Sequence, residues 1–190
     1  AVLANTTQYP AGQTVVTNGQ SVTLNTTVTD ATTGVSTVKV DASTLGCSST
    51  LAMSLSGSVY TATCTLSGAT SGTKSLLVTA NDTANNINNT ISLTVEVDAT
   101  LPSAISFVGP TPNAGSNLSQ NYYAVNITFT ETNPNNCLLE VGGSNVTMTR
   151  TGTTCFVNRT SQADGSYTFK AWVNDTAGNI AESSSRSITL

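Results

Sequence analysis

Apolar and polar residues alternate along most of this chain. Val22, Leu24, Thr26 and Val28 stand at every second position of one stretch, and Val125, Ile127 and Phe129 do so in another. A repeat of two is the period of a half-buried β-strand, because successive side chains leave opposite faces of the pleat. The pattern predicts strands in the first half at 2–7 or 14–17, 22–29, 35–41, 51–55, 59–66, 74–81 and 91–97. In the second half it predicts strands at 104–108, 122–130, 138–141, 145–149, 153–157, 166–174 and 186–190. Clusters of Gly, Asn and Ser separate them, as turns require, and no stretch carries a useful helical period. Seven short strands per half describe an all-β fold of two Greek-key sandwiches. Expected domains are 1–97 and 98–190, joined through Asp98-Ala99-Thr100-Leu101-Pro102, where Pro102 stiffens the junction.

An internal repeat supports the division. Ala80-Asn81-Asp82-Thr83-Ala84-Asn85-Asn86-Ile87 matches Val173-Asn174-Asp175-Thr176-Ala177-Gly178-Asn179-Ile180 at an offset of 93. The same offset carries Gly72 onto Gly165, and Leu76, Val78 and Ala80 onto Phe169, Ala171 and Val173. Asp164-Gly165-Ser166-Tyr167 resembles the corner of immunoglobulin-like (Ig-like) sandwiches, where a Tyr hydroxyl bonds back to the main chain. Lys74 holds the Tyr167 position in the first half, so the corner there is either lost or rebuilt by the ammonium.

The cysteines follow the repeat. Cys47 and Cys64 are 17 positions apart, and Cys137 and Cys155 are 18 apart. Four cysteines allow three connectivities, of which the repeat selects the two local pairs. The alternative is four reduced thiols in an intracellular protein. With no His in the chain and no CxxC spacing, zinc is not expected.

Nine Asn-X-Ser/Thr sequons, at Asn5, Asn25, Asn81, Asn88, Asn117, Asn126, Asn145, Asn158 and Asn174, point to an exported chain carrying N-linked glycans. Asn81 and Asn174 coincide in the repeat, and Asn25 and Asn126 fall on the polar faces of matching strands. Only 8% of residues are charged, against roughly 25% in an ordinary soluble protein. Solubility must then come from hydroxyls, amides and sugars. The net charge of −4, with six Lys and Arg in all, offers no basic patch for nucleic acid. No apolar run reaches the ~18 residues of a membrane span, and a chain starting at Ala1 reads as a mature or excised form.

Asn136-Cys137-Leu138-Leu139-Glu140-Val141-Gly142-Gly143, Thr154-Cys155-Phe156-Val157-Asn158, Asp164-Gly165-Ser166-Tyr167 and Asn174-Asp175-Thr176-Ala177-Gly178-Asn179, with Val108-Gly109-Pro110-Thr111-Pro112 ahead of them, resemble the Ig-like repeats of archaeal cell-surface proteins. The first half is a looser match to bacterial-type Ig-like repeats, through Asp30, Gly34-Val35 and Ala42-Ser43-Thr44-Leu45-Gly46-Cys47. The resemblance implies two tandem Ig-like modules at the cell surface, such as those of a thread- or pilus-like filament. It says little about function, since the sandwich serves adhesins, coats, pili and spacers alike.

An enzyme is not expected. Without His no Ser-His-Asp or Cys-His arrangement exists, and Asp164, Asp175 and Glu182 fall at turn or loop positions rather than as a paired-carboxylate cleft. No cofactor is expected, with one opening for calcium if Asp82 and Asp98 meet near the junction. An intramolecular Lys–Asn bond would need a buried lysine. Of Lys39, Lys74 and Lys170, Lys74 alone falls on an apolar face, where a solvated ammonium is the simpler state. Trp172, the sole Trp, is expected on an outer strand face beside Lys170. The expected function is a glycosylated structural subunit of an extracellular filament or coat, self-associating into a homopolymer through sandwich edges. Val2 and Leu3 would insert into the next subunit as a donor strand, unless they simply begin the first domain. The alternative is an adhesive or passive spacer module of a larger surface protein.

Overall fold

A computed structural model describes residues 2–190, with side chains from Thr6 onward. The chain divides into two compact units, the first ending at Ala99 and the second spanning Thr100–Leu190. In the first unit, β1 (Val2–Gln8), β2 (Ser21–Val28), β6 (Val59–Thr65) and β5 (Ser54–Ser56) form one sheet in the order β1-β2-β6-β5. The facing sheet runs β4-β3-β7-β8, from β4 (Leu51–Ala52), β3 (Val35–Val40), β7 (Gly72–Asp82) and β8 (Ile87–Val97). The second unit repeats the plan. One sheet is β13-β14-β10-β9, from β13 (Thr149–Thr151), β14 (Thr154–Arg159), β10 (Tyr123–Thr130) and β9 (Ser103–Val108). The other is β12-β11-β15-β16, from β12 (Ser144–Thr147), β11 (Pro134–Val141), β15 (Ser166–Asp175) and β16 (Ile180–Glu182), with β17 (Arg186–Thr189) also paired to β15. All strand ladders are antiparallel. These are two tandem Ig-like β-sandwiches.

Alternation sets the cores. Val22, Leu24, Val38, Leu76, Val78, Leu93 and Val95 fill the first, and Tyr123, Val125, Ile127, Leu139, Phe169, Ala171 and Val173 fill the second. Each fully buried large side chain contributes about 1.5–3 kcal/mol, which lets so weakly charged a chain hold two small cores. The second core is the more aromatic, with Phe169 stacked on Tyr123 at 5.8 Å and edge-on to Phe107 at 5.5 Å.

The alternatives 2–7 and 14–17 are both used. Residues 2–8 pair with β2, and Val16 then makes a parallel bridge to Val97 in the facing sheet. Asn117 repeats that bridge with Thr189. The N-terminal strand therefore completes its own sheet, with Gln8 opposite Thr23 and Val2 opposite Val28. Within the single chain the strand takes the alternative place, as the first strand of its own domain, because consecutive elements pair locally when closing a short loop costs little entropy. The side chains of Val2 and Leu3 themselves lie outside the described ones.

Two expected strands are each split by a methionine. The segment expected at 51–55 pairs with β3 up to Ala52 and with β6 from Ser54, so the chain changes sheets at Met53. The segment expected at 145–149 does the same at Met148, between β12 on β11 and β13 on β14. Both methionines, the only two in the chain, are buried and donate their N–H back to the strand being left, Met53 to Val38 O (2.9 Å) and Met148 to Cys137 O (3.1 Å). Period-two patterning continues through such a switch and so cannot reveal it.

The corner forms in both halves. Tyr167 Oη donates to Ala163 O at 2.8 Å. Lys74 Nζ donates to Thr70 Oγ1 at 2.9 Å and Ser71 O at 3.4 Å, so an ammonium rebuilds the bridge that the phenol makes.

Aspartates clamp the turns. Asp30 accepts from the N–H groups of Thr33 and Gly34, both at 2.8 Å, and from the Thr33 hydroxyl at 2.9 Å. These bonds, led by the Thr33 N–H, hold its carboxyl down to a pKa of about 2. Asp82 is lowered too, first by the Asn86 side-chain amide and then by the Asn86 N–H. A depressed carboxylate contributes its stability above the unfolded value near 3.9 and loses it as pH falls through the folded value. The first domain should therefore lose stability between about pH 4 and pH 2, and Asp30→Asn should flatten that slope in a pH series of calorimetric melts.

Candidate functional site

The disulfides join the facing sheets of each sandwich. Cys47–Cys64 ties the turn after β3 to β6, and Cys137–Cys155 ties β11 to β14. No cysteine is free. Gly46 makes the first bridge possible. Its φ of +83° ends a short 3-10 turn (Ser43–Leu45), and a Cβ there would collide with the Ser67 carbonyl, so only glycine can bring Cys47 to its partner.

With the cores sealed, the outward sheet faces remain. Eight sequon asparagines have described side chains, and none is buried: Asn88, Asn117, Asn145 and Asn158 are exposed, while Asn25, Asn81, Asn126 and Asn174 are partly exposed. Asn25 lies between the buried Leu24 and Thr26, and Asn126 between the buried Val125 and Ile127, so both point away from their cores. Asn5 lies outside the described side chains, although its backbone pairs with Thr26 on the open edge strand β1.

The most structured part of the surface is the outer face of β11, β15 and β16. Lys170, Trp172 and Asn174 alternate outward along β15, against Glu140, Leu138 and Asn136 of β11. Trp172 Nε1 donates to Glu140 Oε2 at 2.9 Å. Lys170 Nζ stands 4.4 Å from the indole centroid and pairs with Glu182 at 2.8 Å and Glu140 at 3.7 Å. The Glu182 carboxylate first, and Glu140 after it, raise the Lys170 pKa against the opposing effect of burial. The ring is thus fixed from two sides. Beside it lies an open hollow of about 340 Å³, lined by Trp172, Leu138, Asn136, Asn145, Asn174 and Ile180. Asn174 Oδ1 accepts from the Asn136 N–H at 2.9 Å, which leaves its Nδ2 as the free end of the amide.

Other expected groups are not brought together. Asp82 follows the Asn81–Ile87 pair at the turn of the β7–β8 hairpin, whereas Asp98 follows Val97, which pairs with Gly72 at the far end. Some ten strand residues at about 3.3 Å each separate them, so these two acids cannot share a calcium ion. The Asp82 carboxylate is instead held by the Ala84 and Asn86 N–H groups, both at 2.8 Å, and by Asn86 Nδ2 at 2.7 Å. Asp164 precedes β15 and Asp175 closes its opposite end, and Glu182 is engaged with Lys170. Lys74 and Lys170 already hold the partners described above, none of them an asparagine amide. Sequence reasoning found Trp172 and Lys170. It missed Glu140 as the ring's anchor, because that contact depends on cross-strand register.

No protein-family model matches the sequence, and no curated relative does. Among solved structures, the chain is similar to the fibronectin(III)-like modules of Clostridium thermocellum CbhA, at 17% identity and a TM-score of 0.50, covering 98% of this chain and 92% of that one. An I-band fragment of titin is 14% identical with a TM-score of 0.47, over 99% of this chain and 65% of that one. At such identities the first likeness speaks for the fold alone: the chain is built of tandem sandwich modules of the Ig and fibronectin(III) kind.

Proposed function

We propose that the chain is a glycosylated structural module of an extracellular filament or cell-surface coat, of the archaeal type its motifs resemble. The observation that carries this reading is the placement of the sequons. All eight sequon asparagines with described side chains reach the surface, on both sheets of both domains. Each domain is also closed by a disulfide, a bond that persists outside the reducing cytosol. A coat of neutral sugar over a surface poor in charge keeps such a protein soluble and shields its backbone.

Sequon placement also directs assembly. Asn5, Asn88 and Asn145 stand on the edge strands β1, β8 and β12. A glycan there blocks the addition of a foreign strand, which is how sheet edges are kept from indiscriminate pairing. Copies of the chain would then meet through the unglycosylated edges. One is β5, Ser54-Leu55-Ser56, whose Leu55 is 59% exposed.

Peptide mapping of the native protein under non-reducing conditions, with intact-glycopeptide mass spectrometry, tests the exported, glycosylated state. Sugar on Asn25 and Asn126 is the expected result. Bare sequons throughout, or free thiols, would refute it.

A further inference from the structure

We infer that Phe156 and Trp172 are built-in platforms for the protein's own glycans, each packing the apolar C–H face of the first pyranose ring attached beside it. This rests on the glycoprotein reading and adds a site to it. Both rings stand outward on strands of the second sandwich, Phe156 exposed and Trp172 partly so. Phe156 is 40% exposed. On β14 it precedes the sequon Asn158 by two positions, and across the ladder it pairs directly with a second sequon, Asn126. Trp172 precedes Asn174 by two positions on β15, and its hollow is lined by both Asn174 and Asn145. Each outer face of this domain thus presents one aromatic ring between two sequon asparagines.

The distances suit a sugar. Residues two apart on a strand share a face at roughly 6.5–7 Å, and directly opposed residues approach to about 5 Å. A pyranose ring on Nδ2 spans that gap. The face of a π-system is electron-rich and attracts the polarised C–H groups of a sugar, as it does cations. Lys170 occupies one side of the indole and does not line the hollow, so a sugar on Asn174 meets the remaining surface. Glu140 locks the ring in place, and an immobilised platform loses little freedom on contact.

The first domain supplies the internal comparison. Thr79 stands two before Asn81, where the second domain has Trp172 before Asn174. Asn25 faces Thr61, where Asn126 faces Phe156. The same sequons occur there without rings.

The test uses the full-length glycosylated chain. Intact-glycopeptide mass spectrometry first sets occupancy at Asn126, Asn145, Asn158 and Asn174. Trp172 is the only tryptophan, so fluorescence reports on it alone. Thr176→Ala abolishes the Asn174 sequon and keeps the asparagine. It should shift Trp172 emission to the red and raise the acrylamide quenching constant. Thr160→Ala should lower the melting temperature of the second domain by roughly 4–8 °C. In a Phe156→Thr background, which copies Thr61, the same loss of glycan should cost nothing further. Occupied sites with unchanged quenching, or an equal melting shift with and without Phe156, overturn the platforms and leave the glycoprotein reading intact. Bare sequons throughout overturn both.

Discussion

Replacing Cys137 and Cys155 together with alanine should lower the stability of the second domain by about 3 kcal/mol, the closure entropy of a loop of this length. For a domain of this size that is a fall in melting temperature of roughly 12–24 °C. The bridge encloses β12, the sheet switch at Met148 and β13. Without it, the stretch that leaves one sheet for the other is tethered by short strands alone. Both sulfurs are fully buried, so alanine also leaves a gap in the core that adds to the loss. The Cys47–Cys64 pair obeys the same arithmetic, with Met53 in the enclosed loop. Differential scanning calorimetry of the double mutant checks this. A shift below a few degrees would mean that the loop is held by its strands and that the disulfide is incidental.

Asp175→Ala should be nearly as severe, and its counterpart Asp82→Ala mild, although the two residues share one motif. Asp175 is 1% exposed. It accepts from the N–H of Gly178 at 2.7 Å, the N–H of Asn179 at 2.8 Å and Asn179 Nδ2 at 2.7 Å. Deleting the carboxylate strands these donors beside a buried Asn179, at about 3 kcal/mol in sum. Asp82 accepts the same two bonds from Asn86 and a third from the Ala84 N–H, in an exposed turn where water can take its place. Urea melts of the two variants separate the cases. Equal losses would show that the clamp works through turn geometry and that burial is irrelevant.

How far the sequence carried depended on whether each feature is local or relational. Alternation along one strand is local, and it located the strands, the outward asparagines and the apolar faces correctly. The repeat selected the disulfide pairing, because matching segments needed matching partners. The corner was visible as Tyr167, and its rebuilding by Lys74 was legible as an open alternative. Features that depend on which strand lies alongside were not legible. The sheet switches at Met53 and Met148 keep the same period through the change of partner. The three-residue β16 is too short to show a period, yet its Glu182 holds Lys170 over the ring. The proposed union of Asp82 with Asp98 failed for the same reason: sequence distance does not say that one full strand, β8, runs from the turn at Asp82 to the far end of the hairpin at Asp98. The N-terminal strand shows the limit from the other side. Its strand character was clear, and its register with β2 inside one chain is a pairing that the strand's own sequence does not specify.

The central claim is that this chain builds an extracellular filament or coat. Electron microscopy of material released intact from the native cell surface tests it most directly. The account predicts filaments or a regular lattice whose repeating unit contains two sandwiches, with sugar density on the outer sheet faces. Dispersed two-domain particles at every concentration, with no periodic assembly on the cell surface, would contradict it.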